Sequence, residues 1–331
     1  MTLIWTRLLE TIDTQGSAAL VSVVAVQGSA PREAGARMVV RPDGGFWGTV
    51  GGGELEWRLL RDAKATLGAE ARSTLVGDWP LGPDLGQCCG GRVKTWVETF
   101  AREDRAEIAR FAELEPGGPF HLDALLGPDG RIMRKVAVDA AQSVAVVRER
   151  YGEDRTPLLL FGAGHVGRAL AQALAPLPFR LRWIDSREDA FPAIIPQNAE
   201  ALVTADPVQA VANAPAGSLV MVMTHSHPLD LAVTAAALGR TDLGPVGLIG
   251  SATKRARFLA RLRQAGVSEA TLLRLNCPIG VEGVSGKEPA VIAAVAAAQL
   301  LQWREAQDAA RIQTTSVAAS FRPRRISGER G

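Results

Sequence analysis

Cysteine is scarce in this 331-residue sequence, and the thiols present argue against covalent stapling. They are Cys88, Cys89 and Cys277. A bridge between adjacent cysteines is strained and three cannot build a disulfide framework, so free thiols in a reducing, cytoplasmic setting are expected. Long apolar runs are missing too. Ala18 to Val26 and Ala290 to Leu301, the latter broken by Gln299, fall short of the roughly 18–20 residues a bilayer span needs, so no membrane crossing is expected. The opening residues, Met1 to Arg7, lack a charged segment followed by an apolar stretch and a small-residue cleavage site. An excess of one charge is likewise absent: Lys+Arg 37 against Asp+Glu 35 leaves +2, too little for a surface built around nucleic acid. What is present is ordinary globular stock, 47% hydrophobic and 22% charged, in a length that suits two domains of about 100–200 residues each.

Periodicity divides the chain. Leu3, Ile4, Leu8, Leu9 and Ile12 share one side of a helix over residues 2–14. A strand over Ala18 to Val26 follows, then a breaker-rich loop from Gly28 to Gly35 and a hairpin partner over Arg37 to Arg41. A short strand from Phe46 to Val50 runs into Gly51-Gly52-Gly53-Glu54, after which Leu55 to Leu67 has helical spacing. Leu81 to Gly91 reads as a loop, Arg92 to Phe100 as a strand and 102–114 as a helix. The charged stretch from Arg148 to Pro157 has little to bury, so residues 1–150 are expected to form a mixed α+β domain.

Beyond it the pattern changes to alternating strands and helices. Strands are expected at Leu158 to Phe161, Leu181 to Asp185, Leu219 to Thr224 and Val246 to Ile249. Helices are expected at Arg168 to Ala175, 228–238 and 252–265, with an Ala-rich one from Pro289 to Gln307. This order predicts an α/β fold, a Rossmann-like doubly wound parallel sheet over 151–310, with 311–331 as a disordered tail.

Gly162-x-Gly164-x-x-Gly167 follows a strand, opens a helix and precedes Asp185 at the end of the next strand, which is the context a dinucleotide fingerprint requires. Unpaired N–H groups at the helix start suit a phosphate, and Asp185 suits a ribose hydroxyl; Arg187 could tolerate a 2′-phosphate, but an acidic strand end favours the unphosphorylated sugar. The alternative is a glycine turn kept for close packing. His165 either meets phosphate or caps the turn. His225 and His227, at the carboxyl end of a strand, are either loop histidines or an i, i+2 metal pair. Cys88-Cys89-Gly90-Gly91 places two thiols in a glycine-bounded loop, able to meet a soft metal or another sulfur, or else buried in a tight turn. Gly51-Gly52-Gly53 is either an anion cradle or a crowded turn. Gly280 to Glu288 lacks the spacing and the Ser/Thr of a phosphate loop.

Taken together, these segments resemble the XdhC/CoxI family of molybdenum-cofactor accessory proteins. Gly28-Ser-Ala-Pro-Arg32, Gly48 to Glu56 and Leu85-Gly-Gln-Cys-Cys-Gly-Gly91 look like its amino-terminal signatures. Phe161 to Gly167, Thr224-His225 with Asp230, Gly247 to Ser251 and Pro278-Ile-Gly280 look like its carboxyl-terminal ones. The Gly-Gln-Cys-Cys-Gly-Gly form points to the xanthine dehydrogenase branch. Two departures stand out: Glu54 replaces a cysteine found in some relatives, and Val281 to Pro289 is altered.

The resemblance implies a carrier of molybdenum cofactor (molybdopterin), with Cys88, Cys89, Gly51, Gly52, Gly53, Glu54, Gly162, Gly164, His165, Gly167, Asp185 and His225 as the candidate binding residues. Cys88 and Cys89 would be transient molybdenum contacts. Its partners would be xanthine dehydrogenase and a cysteine desulfurase, and any catalysis would belong to those partners; because two-fold homo-oligomers are common, a homodimer is expected. The other readings are an NAD-dependent oxidoreductase and an NAD-binding redox sensor, both resting on the glycine motif and Asp185.

Overall fold

The computed structural model describes residues 3–68, 74–82, 90–137 and 147–320, in two compact units, Met1–Asp154 and Arg155–Gly331. In the first, an antiparallel sheet has the order β3 (Phe46–Gly48), β2 (Arg37–Val40), β1 (Ser17–Gln27), β5 (Arg92–Ala101) and β4 (Leu75–Pro80). The apolar run of β1, interrupted only by the buried Ser22 between Ala18 and Val26, follows from burial on both faces. Ala19, Val21 and Val23 pack with Leu55, Leu59 and Ala63 of α2 (Gly53–Leu67). Ala18 and Leu20 pack with Trp5 and Leu8 of α1 (Ile4–Gln15) and with Ile108 and Phe111 of α3 (Arg105–Leu114). The first helix stops where Gly16 turns left-handed, φ 85°, and returns its N–H to the Ile12 carbonyl.

A second sheet, in the order β7 (Ile132–Val136), β6 (Phe120–Leu126) and β8 (Val147–Tyr151), adds Leu122 and Tyr151 to the α1/α3 side. A buried ion network ties the two sheets together. Arg134 donates Nη1 and Nη2 to the two oxygens of Glu98 at 2.7 and 2.6 Å and Nε to Glu149 at 2.7 Å. Arg37 lies over the Tyr151 ring, 3.7 Å from its centroid, and Tyr151 donates to Glu149.

The second unit carries a six-stranded parallel sheet. Its order is β11 (Ala199–Val203), β10 (Phe179–Asp185), β9 (Thr156–Phe161), β12 (Leu219–Val222), β13 (Val246–Leu248) and β14 (Leu275–Asn276). Consecutive residues of β9 point to opposite cores. Leu158 and Leu160 meet α4 (His165–Leu174) and α9 (Pro289–Ser320), whose Ala293, Ala296 and Ala297 let the helices approach closely. Leu159 and Phe161 meet the side formed by α5 (Pro207–Ala212), α6 (His227–Gly239) and α7 (Ala252–Gln264). Both faces are therefore covered, as the Rossmann-like expectation requires.

Several elements leave no clear sign in the sequence, among them β8, whose Glu149 and Tyr151 are buried within the charged stretch expected to have little to bury. Strand β11 is a partly exposed edge strand of five residues, the helix α5 after it is six residues long, and β4 is largely exposed, so none shows a sustained period. The final helix also runs past Gln307 to Ser320, through residues 311–320 of the segment expected to be a disordered tail. Among the described residues no helix is long and apolar enough to cross a membrane.

Candidate functional site

In the first unit, the segments singled out in the sequence meet. Gly51 faces Pro31: a Cβ on Gly51 would stand 2.9 Å from the Pro31 Cβ. Gly91 is pressed against the other end of the same loop, where a Cβ would come within 2.2 Å of the Ser29 carbonyl oxygen, and Gly28, at φ +70°, lies against Gly91 in turn. The Gly28–Arg32 loop thus contacts both the glycine run and the end of the Cys-Cys-Gly-Gly segment. Cys88 and Cys89 themselves lie outside the described residues. Beside this junction is a cavity of about 690 Å³, in the size range of ligand sites, with Pro31, Arg32, Arg37, Thr49, Arg150 and Tyr151 in its wall.

The glycine run itself differs from an open cradle. Gly51, Gly52 and Gly53 all have positive φ (128°, 75° and 67°), which only glycine adopts without strain. Their turn closes on an internal anion: Glu56 accepts from Thr49 Oγ1 at 2.6 Å, Val50 N at 3.0 Å and Gly52 N at 3.2 Å. Glu54, the acid read from the sequence, instead pairs with Arg58 at 2.8 Å on the surface. The signal for Glu56 is that an acid in the first turn after a glycine run can reach back to the backbone N–H groups ahead of the helix.

Burial pushes the Glu56 carboxyl up, but hydrogen bonds from Thr49, Val50, Gly52 and Gly51 outweigh it and hold the pKa below the usual glutamate value. A lowered folded-state pKa means stability that is present above the unfolded-state value and lost as pH falls through the folded one. Glu56→Gln is therefore expected to flatten the acid limb: from about pH 6 to about pH 3 the wild type loses more unfolding free energy in urea than the variant. Equal losses in both would contradict this role.

In the second unit, the glycine fingerprint sits where the strand order reverses, between β9 and β12. Gly162, at φ +110°, lies under the end of β12, where a Cβ would stand 2.3 Å from the Met223 carbonyl oxygen. Gly167 seats α4 on the turn, where a Cβ would fall 2.0 Å from the Gly162 carbonyl oxygen. Gly164 faces open space, and no side chain caps the helix at this residue. Two of the glycines therefore serve packing, and the middle one leaves the helix start accessible. His165 is exposed on the first turn.

A small crevice at the carboxyl ends of the strands brings Asp185 and His225 together, with Phe161, Ile184, Pro207 and Leu229 as apolar walls. Asp185 is 5% exposed and its carboxylate is fully engaged. One oxygen accepts from Ala163 N at 2.7 Å and Arg187 Nη2 at 3.0 Å, the other from Arg187 N at 3.1 Å and Nε at 3.0 Å. Burial pushes this carboxyl up; the bonds from Arg187 and Ala163 more than offset it, so its pKa is lowered and it is ionised at neutral pH.

The loop carrying His225 is held from beneath by a pair that lies far apart in sequence. Asp230, fully buried, accepts from Thr224 N at 3.0 Å and Thr224 Oγ1 at 2.7 Å, and from Lys254 Nζ at 2.6 Å. Lys254 also donates to the Ile249 carbonyl at 2.8 Å. Burial pushes the Cys277 thiol up, which disfavours its thiolate. His225 and His227 are both exposed, and among the described residues no three His, Cys, Asp or Glu side chains gather as a metal set.

Comparison with known proteins agrees with this architecture. The family model for the XdhC Rossmann domain matches residues 158–300, and that for the XdhC and CoxI family matches residues 12–76. YqeB of Escherichia coli K12, an uncharacterized protein, is 27% identical over 295 residues; the match takes in 86% of this chain but 43% of YqeB, so the chain spans less than half of that relative. A Bacillus subtilis protein described as a probable xanthine dehydrogenase subunit is 24% identical over 324 residues, 89% of this chain and 95% of that protein. A crystal structure of a xanthine dehydrogenase from Bacillus halodurans shares the fold at TM-score 0.73 and 21% identity, over 92% of this chain and 96% of that one. The two family models together take in more than half of the sequence, one in each structural unit, and the chain belongs to the XdhC and CoxI family.

Proposed function

We propose that this chain is a cytoplasmic, homodimeric accessory protein of xanthine dehydrogenase maturation. It holds molybdenum cofactor as cargo while a cysteine desulfurase supplies persulfide sulfur. With two electrons from a reductant and two protons, that sulfur replaces an oxo ligand on the metal, the oxygen leaving as water and the thiol that carried the persulfide being regenerated; the chain then passes the cofactor to the apoenzyme. Family membership and the Bacillus subtilis relative support the accessory role. The observation that carries the reading is the meeting of Gly28–Arg32, Gly51 and Gly90–Gly91 in one place, beside a cavity whose wall includes Arg32, Arg37 and Arg150. Arginines suit the phosphate of a pterin cofactor, and thiols suit its soft metal and dithiolene.

On this reading the Cys88-Cys89 pair makes transient contacts with molybdenum or relays sulfur, and a carrier built for release needs no closed ligand cage. With the Gly51–Gly53 turn closed on Glu56, which takes the Gly52 N–H, the space around Gly52 and Gly53 is open, since a Cβ on either would meet nothing within 4 Å.

Loss of ligand-supporting groups at metal sites typically costs tenfold or more in affinity. Delivery is tested by loading the chain anaerobically with cofactor and adding apo-xanthine dehydrogenase, a desulfurase and cysteine. The Cys88→Ala/Cys89→Ala variant is expected to restore activity at least about tenfold less well than wild type. Unchanged delivery would remove the thiols from the account.

A further inference from the structure

The 690 Å³ cavity beside the Gly28–Arg32 loop has six charged residues in its wall, and four of them are already used within the chain. Arg37, its side chain 7% exposed, donates Nη1 to the carbonyls of Gly35 and Arg150 at 3.1 and 2.9 Å and lies on the Tyr151 ring. Arg150 pairs with Asp154 at 3.0 Å, and Glu153 is engaged as well. Glu115 holds the start of α1, accepting from Trp5 N at 3.0 Å and Thr6 N at 2.9 Å. Arg32 and Glu33 remain. Both are exposed, and neither side chain has a hydrogen bond or ion pair among the described residues. The nearby backbone N–H groups are closed to an entering anion too, since Glu115 takes those of α1 and Glu56 takes those of Val50 and Gly52. An anion in this cavity therefore meets one free cation, Arg32.

The loop that carries the pair is pinned. Gly35 N donates to the Val23 carbonyl at 2.8 Å, and the Arg32 stem passes Gly51, where a Cβ would stand 3.4 Å from its Cγ. Groups held in place beforehand lose less freedom on binding. A phosphomonoester takes a guanidinium through two parallel bonds, and the two oxygens of a carboxylate accept from two neighbouring N–H donors. A 2-aminopyrimidin-4-one ring presents such a donor pair, its amine and the adjacent ring N–H. We infer that Arg32 binds the phosphate and Glu33 the amino edge of a phosphomonoester carrying a 2-aminopyrimidin-4-one ring, and that this pair sets the specificity of the cavity. Pterins and guanine nucleotides share that chemistry. The choice of a pterin rests on the proposed cargo, whereas the pair itself is tested with metal-free ligands, so the two can fail separately.

Fluorescence anisotropy of the pterin ring follows binding of neopterin and neopterin phosphate to the full chain at one ionic strength, with GMP and AMP as competitors. A charge-assisted contact is worth about one factor of ten or more, so neopterin phosphate is expected to bind at least about tenfold more tightly than neopterin. In Arg32→Gln that preference should vanish, and Arg32→Lys should keep part of it. Glu33→Gln should weaken both ligands by about tenfold and leave the preference between them intact. Circular dichroism checks that the variants fold. Neopterin phosphate binding more tightly than GMP supports the pterin as cargo; GMP binding more tightly would take the cofactor out of this cavity and leave the pair standing. Equal binding of neopterin and its phosphate by wild type, no binding at millimolar concentration, AMP competing as well as GMP, or variants that bind like wild type would each overturn the inference.

Discussion

Arg134→Met is expected to destabilise the first unit by about 3–5 kcal/mol, because it leaves the buried Glu98 carboxylate without its hydrogen-bonded counter-ion. Arg134 is the only cation that the described hydrogen bonds place on Glu98, and both side chains are at most 5% exposed. Burial pushes the Glu98 carboxyl up even with the guanidinium present, with Arg134 opposing the shift. Glu149 retains Tyr151 and Arg37 as partners, so the penalty concentrates on Glu98. Urea unfolding followed by tryptophan fluorescence reads the loss, since the Arg134 guanidinium lies 5.4 Å from the Trp5 ring centroid. Pairing the variant with Glu98→Leu should recover much of the stability, as replacing both members of a buried pair is often near neutral. A single variant that loses less than about 1 kcal/mol, or a double variant no better than the single, would show that the network does not hold the two sheets as described.

Lys254→Met is expected to cost about 3 kcal/mol, the low end of the buried-pair range, because Lys254 keeps some contact with water. It strands the fully buried Asp230 carboxylate on two bonds from Thr224. The effect should be local before it is global. Hydrogen exchange at Thr224 and along the start of α6 should speed up by about a hundredfold, the rate equivalent of that loss if opening sets exchange. Adding Asp230→Asn, which removes the charge and keeps an oxygen for Thr224, should restore most of the protection. Unchanged exchange in Lys254→Met would mean that the pair does not fix the loop carrying His225.

Much of the fold was legible because burial leaves a periodic trace. The apolar runs of β1 and β9, the glycine turn before α4 and the Ala-rich face of α9 each carry their packing in their spacing. The short and exposed pieces, β11, α5 and β4, leave too few residues for a period to show. The site was legible in its residues but less so in its pairings. Spacing pointed to Glu54 beside the glycine run, while the side chain that closes the turn is Glu56, two positions on and further round the helix. Asp185 was correctly placed at the strand end, yet nothing in the order of residues reveals that Arg187, two positions later, folds back onto it. Arg134, Glu98 and Glu149 look like the solvated positions of ordinary strands, and only the packing of one sheet against another buries them together. Long-range pairing of charges is set by tertiary geometry, which a local pattern does not encode.

The central claim, that the chain carries molybdenum cofactor, is tested most directly by anaerobic incubation of the purified protein with the cofactor. Desalting and quantification of molybdenum and pterin follow, with NAD retention measured in parallel. The account predicts molybdenum and pterin retained together in proportion to protein, and reduced in Cys88→Ala/Cys89→Ala. Tight retention of NAD with neither molybdenum nor pterin would contradict it and make the chain a dinucleotide-binding protein instead.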